Sequence, residues 1–444
     1  MTPGLNELFE AGIRAHKSGR LQEAVRLYEH ILNYDANNLG ALNNLGLLCA
    51  EMKDLERSEE LLKRAIGCAP GDVNAYSTLG AVLNAQRKFD EAIACCERGL
   101  RLAPDHNQLV SALASSLSGA GQYDAAIALL TKRIRARPRY AEGRYLIGML
   151  YAKLGNYDEA VRYFREATRL NPSDGVSSVS AGECLLIAGR ADEAIRELEQ
   201  ALALNAYDVR ALALKTLALA ELGRTADEKW LADPEHFIHL HHLTDLGCSA
   251  EDVAMLNRGL AEFVAHDPGM RENPPEYATA NGWHSTKNLA DYDNQAIARL
   301  KQIIVRAFEE RSKGLSQEDP SHPFVRSAPP KFHLDLWAVK MAGGGKMLPH
   351  IHCDGWLSGV YYVEVPSIVD DPAAGGAGWI KFGTPRIDIK LTKEPITRTV
   401  KPEPGLLVTF PSYFWHDTVP LPPESAASRV CLSFDLHPRK GTRH

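Results

Sequence analysis

From Lys331 to Pro366 the chain reads KFHLDLWAVKMAGGGKMLPHIHCDGWLSGVYYVEVP. The stretch begins with alternating apolar and polar residues, passes through a glycine run and ends in an apolar run typical of a buried strand. Its centre places His350, His352 and Asp354 at alternate positions. Alternate side chains of a strand face the same way, so these groups can point into one site if the strand continues through them.

The rest of the C-terminal region continues this period of two. Short apolar segments separated by Gly, Pro and Asp are FHLDLWAVKM, MLPHIH, LSGVYYVEV, GWIKFG, RTVKPEPGLLVTFP and RVCLSFDLH. So many short strands in so short a stretch indicate a sandwich or jelly roll. We therefore predict an all-β jelly-roll domain with flanking helices over residues 271–444.

The N-terminal half repeats with a period of 34 residues from Leu5 through Asp208. The eighth and twentieth positions of each repeat are small, and the thirty-second is often proline, which helps to end the second helix. Fragments such as GNYDEAVRYFREATRLNPSD (155–174) resemble the tetratricopeptide consensus. We predict a multidomain protein that begins with an all-α tetratricopeptide solenoid over residues 1–225, comprising six repeats (5–208) and a capping helix, followed by a helical connector at 226–270.

A tetratricopeptide solenoid has a concave groove lined by its first helices. The predicted groove-facing residues are Asn6, Asn43, Asn74, Ser77, Asn84, Gln108, Ser111, Ser115 and Ser118. Small polar groups suit the backbone of an extended peptide, so we expect a peptide or protein segment as partner. A solvated groove without a ligand is the alternative.

Composition excludes several other classes of partner. The net charge is −6, so no global basic field attracts nucleic acid or an anionic membrane. We see neither a signal peptide nor an apolar run long enough to span a membrane. The eight cysteines form no C-x-x-C pair, and we expect a reducing, cytoplasmic setting.

His416 follows in PSYFWHDTVP, and Arg429 opens the segment RVCLSF. Two histidines and a carboxylate on one face of an octahedron leave open positions on Fe(II), which a 2-oxo acid and dioxygen can take. The planar guanidinium of Arg429 can bind the far carboxylate of that co-substrate, with Ser433 adding a hydroxyl. Arg386 and Arg398 are alternative cations for this role.

The C-terminal part resembles the 2-oxoglutarate/Fe(II)-dependent oxygenase superfamily, whose fold is the double-stranded β-helix. More narrowly, it resembles oxygenases of this type that carry a W…G…H-x-H…LSGVYY…PR signature. The matching elements here are Trp337, Gly345, His350, His352, LSGVYY (357–362) and Pro385-Arg386. The resemblance covers roughly residues 270–440, and we also assign Tyr362 of this signature to co-substrate binding.

The H-x-D motif of the superfamily can be aligned in two registers. It falls either on His352-Cys353-Asp354, which supplies a carboxylate, or on His350-Ile351-His352, which leaves a longer segment before the next strand. His352 and His416 are metal ligands in both registers. Whether Asp354 or His350 joins them stays open at this point.

The prediction is a 2-oxoglutarate-dependent dioxygenase that uses Fe(II), 2-oxoglutarate and dioxygen. It would hydroxylate a peptide or protein side chain docked by the solenoid. An oxygenase acting on a small molecule is one alternative. A scaffold without catalysis, whose cupin-like barrel only binds a ligand or a metal, is the other.

Overall fold

The computed structural model describes residues 4–274, 277–425 and 427–438. The contacts of the chain divide it into an N-terminal unit that ends at Pro172 and a C-terminal unit that begins at Ser173. Within the described residues, no helix is both long and apolar enough to cross a membrane. All eight cysteines are described, and all are free thiols.

The N-terminal unit consists of helix pairs. Its helices are α1 (Leu5–Lys17), α2 (Leu21–Tyr34), α3 (Leu39–Glu51), α4 (Leu55–Cys68), α5 (Val73–Ala85), α6 (Phe89–Leu102), α7 (Asn107–Gly119), α8 (Tyr123–Ala136), α9 (Ala141–Lys153) and α10 (Tyr157–Leu170). Successive first helices begin at Leu5, Leu39, Val73, Asn107 and Ala141, each 34 residues after the last. The predicted tetratricopeptide repeats are therefore confirmed for this unit.

The small residues at the eighth repeat position lie where the two helices of a pair cross. A Cβ atom added to Gly12 would lie 2.7 Å from the ring of Tyr28, and one added to Gly46 would lie 2.8 Å from Leu62. Ser58, at the twentieth position, donates a hydrogen bond of 2.6 Å to the Gly46 carbonyl. These contacts explain why the repeat keeps both positions small, since a larger side chain would separate the helices.

The C-terminal unit begins with helices that continue the repeat pattern and then turns to mixed structure. Its helices are α11 (Val176–Ile187), α12 (Ala191–Leu204), α13 (Val209–Leu222), α14 (Thr225–Ala232), α15 (Pro234–Phe237), α16 (Ala250–His266), α17 (Gln295–Leu315) and α18 (Pro323–Arg326). Short 3₁₀ helices lie at Leu289–Asp291, Ser367–Asp370 and Pro372–Ala374.

Ten strands in the described part of this unit form two antiparallel sheets. The strands are β1 (His239–His242), β2 (Met270–Glu272), β3 (Thr279–Ser285), β4 (Phe332–Met347), β5 (Leu357–Glu364), β6 (Ile380–Phe382), β7 (Arg398–Val400), β8 (Leu406–Pro411), β9 (His416–Thr418) and β10 (Arg429–Pro438). The larger sheet has the order β1-β8-β5-β10-β4-β3-β2, and the smaller has the order β7-β6-β9. This architecture confirms the predicted fold class, a helical solenoid followed by a jelly roll.

Part of the segment 226–270, which was predicted to be helical, is not helical in the structure. His239–His242 forms strand β1, which pairs with β8 at the edge of the larger sheet, with His239 opposite Thr409. Side-chain burial alternates along β1, as a strand with one covered face requires. Pairing with β8 therefore decides the conformation of these four residues.

The centre of the larger sheet positions the site. Strand β10 lies between β4 and β5, so Ser433 is opposite both Trp337 and Val360. Seven of the eight residues of β5 are buried, because the sheet packs against helices on its outer side. On that side the Tyr361 hydroxyl donates a hydrogen bond of 2.6 Å to Asn257 of α16.

Candidate metal centre

His350 and His416 are joined through their backbones. Each donates its amide N–H to the carbonyl of the other, at 3.0 and 3.1 Å, which forms an isolated β-bridge between the end of β4 and the start of β9. Their ring centroids are 4.2 Å apart. The larger sheet thus delivers one histidine and the smaller sheet the other.

His352 completes a group of three. Its Nε2 atom lies 3.2 Å from Nε2 of His350, and its ring centroid lies 5.0 Å from that of His416. One nitrogen from each ring can be chosen so that all three lie within 4.8 Å of one another. Such a group has the donor set and spacing of a metal site.

The hydrogen bonds of the three Nδ1 atoms decide which nitrogens face the centre. The Nδ1 atoms of His350 and His416 contact the carbonyl oxygens of Leu348 and Phe414, at 2.7 and 2.9 Å. A carbonyl oxygen only accepts, so both Nδ1 atoms carry the proton. Nδ1 of His352 contacts a carboxylate oxygen of Asp435, which also accepts. The lone pairs of the three Nε2 atoms are therefore free.

Burial keeps the imidazoles of His350 and His416 neutral. Desolvation, assisted by the neighbouring His352, lowers the pKa of His350 to about 3. Burial also holds the pKa of His416 well below its usual value, with His350 and His352 acting in the same direction. A histidine binds a metal through its neutral form, so the environment suits ligation.

Asp354 is not part of this group. Strand β4 ends at Met347, and His352 to Gly355 form a turn closed by a hydrogen bond of 3.2 Å from the Gly355 amide to the His352 carbonyl. The turn ends the alternation on which the expectation for Asp354 depended, and the residue is exposed. Its backbone carbonyl accepts a hydrogen bond from Nδ1 of His437.

The histidines lie on the wall of a cavity between the two sheets. The volume open to water within it is about 40 Å³. The lining residues are Trp337, Val339, Met341, Met347, His350, His352, Gly359, Val360, Tyr362, Ile380, Phe410, His416, Thr418, Arg429, Cys431 and Ser433. All three residues predicted to bind the co-substrate, Tyr362, Arg429 and Ser433, are among them.

Arg429 is a buried cation without an acidic partner among the described residues. It is 2% exposed, and its Nη1 atom donates to the Gly378 carbonyl. Its Nε atom has no hydrogen-bond partner. The alternative cations are engaged elsewhere, since Arg386 pairs with Glu183 and Asp388, and Arg398 donates to backbone carbonyls.

Sequence reasoning missed Asp435. Its Oδ1 atom lies 2.5 Å from Nδ1 of His352 and accepts a hydrogen bond of 2.6 Å from Ser358. A signal was available in β10, where Arg429, Cys431 and Ser433 alternate on the cavity face and Asp435 is the next residue in that series. A carboxylate inside an apolar strand has to be satisfied by a buried partner.

Comparisons with known proteins agree with this division of the chain. Residues 335–435 match the family described as Putative 2OG-Fe(II) oxygenase. Residues 15–83, 73–106 and 111–175 match three families described as Tetratricopeptide repeat. These matches show tetratricopeptide repeats in the N-terminal region and a domain of the 2OG-Fe(II) oxygenase type at 335–435. No curated protein matches the chain.

Several solved structures resemble part of this chain. A tetratricopeptide repeat protein from Parabacteroides merdae is 18% identical and covers 48% of this chain and 84% of its own, with a TM-score of 0.43. PilW, a type IV pilus biogenesis factor, is 16% identical and covers 47% of this chain and 96% of its own, with a TM-score of 0.42. YrrB, described as having an unusual peptide-binding site, is 22% identical and covers 43% of this chain and 98% of its own, with a TM-score of 0.32.

Proposed function

We propose that this chain is an Fe(II)- and 2-oxoglutarate-dependent oxygenase that hydroxylates a peptide or protein side chain. One observation carries the proposal. Three histidine Nε2 atoms and a buried arginine without an acidic partner share the wall of one cavity. The first group fits a metal ion and the second fits an anionic co-substrate.

His350, His352 and His416 would hold the metal. Bound Fe(II), together with 2-oxoglutarate and dioxygen, supplies the oxidising power that inserts oxygen into an unactivated C–H bond. The contribution of the chain is orientation, because each ring is fixed by its Nδ1 hydrogen bond. Such outer contacts hold ligand nitrogens in position before the metal arrives.

Arg429 would bind the distal carboxylate of 2-oxoglutarate. A buried guanidinium without an anion costs free energy, and a ligand carboxylate would offset that cost through charge-assisted hydrogen bonds. Ser433 lies four residues along the same strand and therefore on the same face, where its hydroxyl can add a hydrogen bond. Tyr362 lies beside the guanidinium, with its ring centroid 5.7 Å from Cζ of Arg429.

The remaining walls of the cavity are largely apolar. They include Val339, Met341, Ile380 and Phe410, of which all but Ile380 belong to the larger sheet. These side chains would exclude bulk water from the space around the histidines. Water exclusion prevents side reactions of a strongly oxidising centre and strengthens the electrostatic contacts within it.

The substrate class is inferred from a groove within the N-terminal unit. A pocket there combines polar groups, Asn84, Ser115 and Ser118, with apolar residues from α9 and with the cations Arg87 and Lys153. None of its lining residues is acidic. This lining suits an extended peptide with an acidic residue, and charge-reversed variants at the two cations should weaken binding of such peptides on an array.

The first experiment is an anaerobic titration of the Fe(II)-loaded protein with 2-oxoglutarate, followed through the visible charge-transfer band of a chelated 2-oxo acid. We expect a band in the wild type, none in His416→Ala and a weaker one in Arg429→Gln. His333→Ala, which removes an exposed histidine from β4, is the matched control and should keep the band.

Further outcomes separate the alternatives. Asp354→Ala should keep the charge-transfer band. If the band is lost in this variant, Asp354 is a metal ligand. A wild type that binds no iron would favour the non-catalytic scaffold. Iron binding without a band would indicate a different co-substrate. Turnover of free small molecules, but of no peptide, would favour the small-molecule alternative.

A further inference from the structure

The three histidines differ in the group that accepts the hydrogen bond from Nδ1. His350 and His416 each donate their Nδ1 proton to a backbone carbonyl, which is neutral. His352 donates its proton to Asp435, which is a carboxylate. The three candidate ligands are thus all imidazoles, and one acidic group lies directly behind one of them.

We infer that Asp435 is a positioning residue that supplies the negative charge of the metal centre through His352. In the arrangement of two histidines and one carboxylate, the charge lies on a metal ligand. Here the negative charge lies on Asp435, which accepts a hydrogen bond from Nδ1 of His352. Nε2 of the same ring faces the other histidines. The inference rests on the proposed function, because it assumes that the three Nε2 atoms bind a metal.

The carboxylate of Asp435 lies within a network of hydrogen-bond donors. It is 8% exposed, and its Oδ1 atom receives two donors, Nδ1–H of His352 at 2.5 Å and the Ser358 hydroxyl at 2.6 Å. The Ser412 hydroxyl lies 2.8 Å from that of Ser358, which is already a donor, so Ser412 donates to it. Two protons therefore point to the carboxylate and the third to the Ser358 hydroxyl, and charge-assisted bonds such as the first two are the strong ones.

The turn after His352 is fitted closely over this network. A Cβ atom added to Gly355 would lie 2.5 Å from Oγ of Ser412 and 3.4 Å from Cγ of Asp435. The Ser412 carbonyl also accepts the His352 amide at 3.1 Å. The ring of His352 is therefore fixed by its backbone on one side and by Asp435 on the other. A carboxylate behind a histidine also makes its Nε2 atom a stronger donor to a metal.

Asp435→Asn tests the inference in the full-length chain, because it removes the charge at nearly constant shape. Fe(II) affinity should fall by roughly 10- to 100-fold. The visible absorption of the Co(II)-loaded protein should also shift, which a purely structural role would not cause. The matched control is Asp335→Asn. Asp335 lies opposite Asp435 in the β10–β4 register but contacts His333 and His437, so Fe(II) affinity should stay at the wild-type value.

Equal affinities and spectra of the Asp435→Asn and Asp335→Asn proteins would overturn the inference and leave the proposed function intact. A wild type that binds no Fe(II) would instead overturn the proposed function, and this inference with it. A second measurement does not depend on the folding of a variant. In wild-type protein labelled at histidine, the Nδ1 proton of His352 should persist after Zn(II) is added. Its loss on metal binding would also overturn the inference.

Discussion

Helices α9 and α11 are the first helices of successive repeats, yet they are buried to different extents. Four of the 13 residues of α9 are buried, compared with ten of the 12 residues of α11. Helix α13, which follows the sixth repeat, also has ten buried residues. One repeat pattern therefore builds helices with an open face in the N-terminal unit and helices covered on both faces in the C-terminal unit.

The covered region contacts segments next to the clustered histidines. Nε1 of Trp415, the neighbour of His416, donates a hydrogen bond of 2.9 Å to the Ala213 carbonyl in α13. The Tyr207 hydroxyl donates one of 2.6 Å to the carbonyl of Trp356, which follows the turn that carries His352. The end of the repeat array thus belongs to the oxygenase part of the molecule.

The largest expected effect comes from two deletions on either side of this division. Removal of residues 1–172 should leave a folded protein that binds Fe(II) and gives the 2-oxoglutarate band. Removal of residues 1–224 strips α11 to α13 from the sheet and exposes the apolar surface they cover, so the protein should aggregate or lose metal binding. Circular dichroism and Fe(II) titration measure both. If both deletion proteins fold and bind Fe(II) equally well, helices α11 to α13 are not needed by the C-terminal unit.

A matched pair of glycine substitutions should give a smaller effect. Gly46→Leu and Gly182→Leu both overfill the eighth repeat position, where an added Cβ would lie 2.8 Å from Leu62 or 2.7 Å from Leu198. Overpacking of this kind costs about 1–3 kcal/mol. We expect Gly46→Leu to lower the unfolding temperature without changing Fe(II) affinity. Gly182→Leu should lower both the unfolding temperature and the Fe(II) affinity. An unchanged Fe(II) affinity would show that α11 does not support the site.

The smallest expected effect concerns two glutamates that each bind two arginines. Glu183 pairs with Arg210 and Arg386, which joins α11 and α13 to the loop after β6. Its counterpart Glu166 pairs with Arg144 and Arg162 in the N-terminal unit.

Glu166→Gln should change the free energy of unfolding by at most about 0.5 kcal/mol, since partly exposed ion pairs contribute little. Glu183→Gln should cost about 1 kcal/mol, because the Glu183 side chain is only 11% exposed. Urea denaturation at low and high salt measures both values. A larger cost for Glu166→Gln would reverse the comparison.

Local patterns were enough to predict most of the helical region and to place His352 and His416 in one candidate site, whereas the choice between His350 and Asp354 stayed open. The period of 34 predicted where the helices begin, because each pair packs through residues close in the chain. The spacing of His350 and His352, with His416 further on, indicated a shared site. The sequence also predicts Tyr362, Arg429 and Ser433 as co-substrate-binding residues, and all three line the cavity.

What failed depended on contacts distant in sequence. The conformation of His239–His242 is set by pairing with β8, more than 160 residues away along the chain. The placement of Asp354 depended on a strand that ends at Met347. Asp435 was overlooked because nothing near it in the sequence shows that it contacts His352.

By itself, the sequence determined the repeat, the change to strands near Lys331 and the types of side chain available for chemistry, because these depend on local periodicity and composition. Only the tertiary structure decided which carboxylate lies beside the clustered histidines and which repeats belong to the C-terminal unit. Both depend on how distant segments pack. The turn at Gly355 directs Asp354 away from the histidines, and the pairing of β10 with β4 and β5 places Asp435 behind His352.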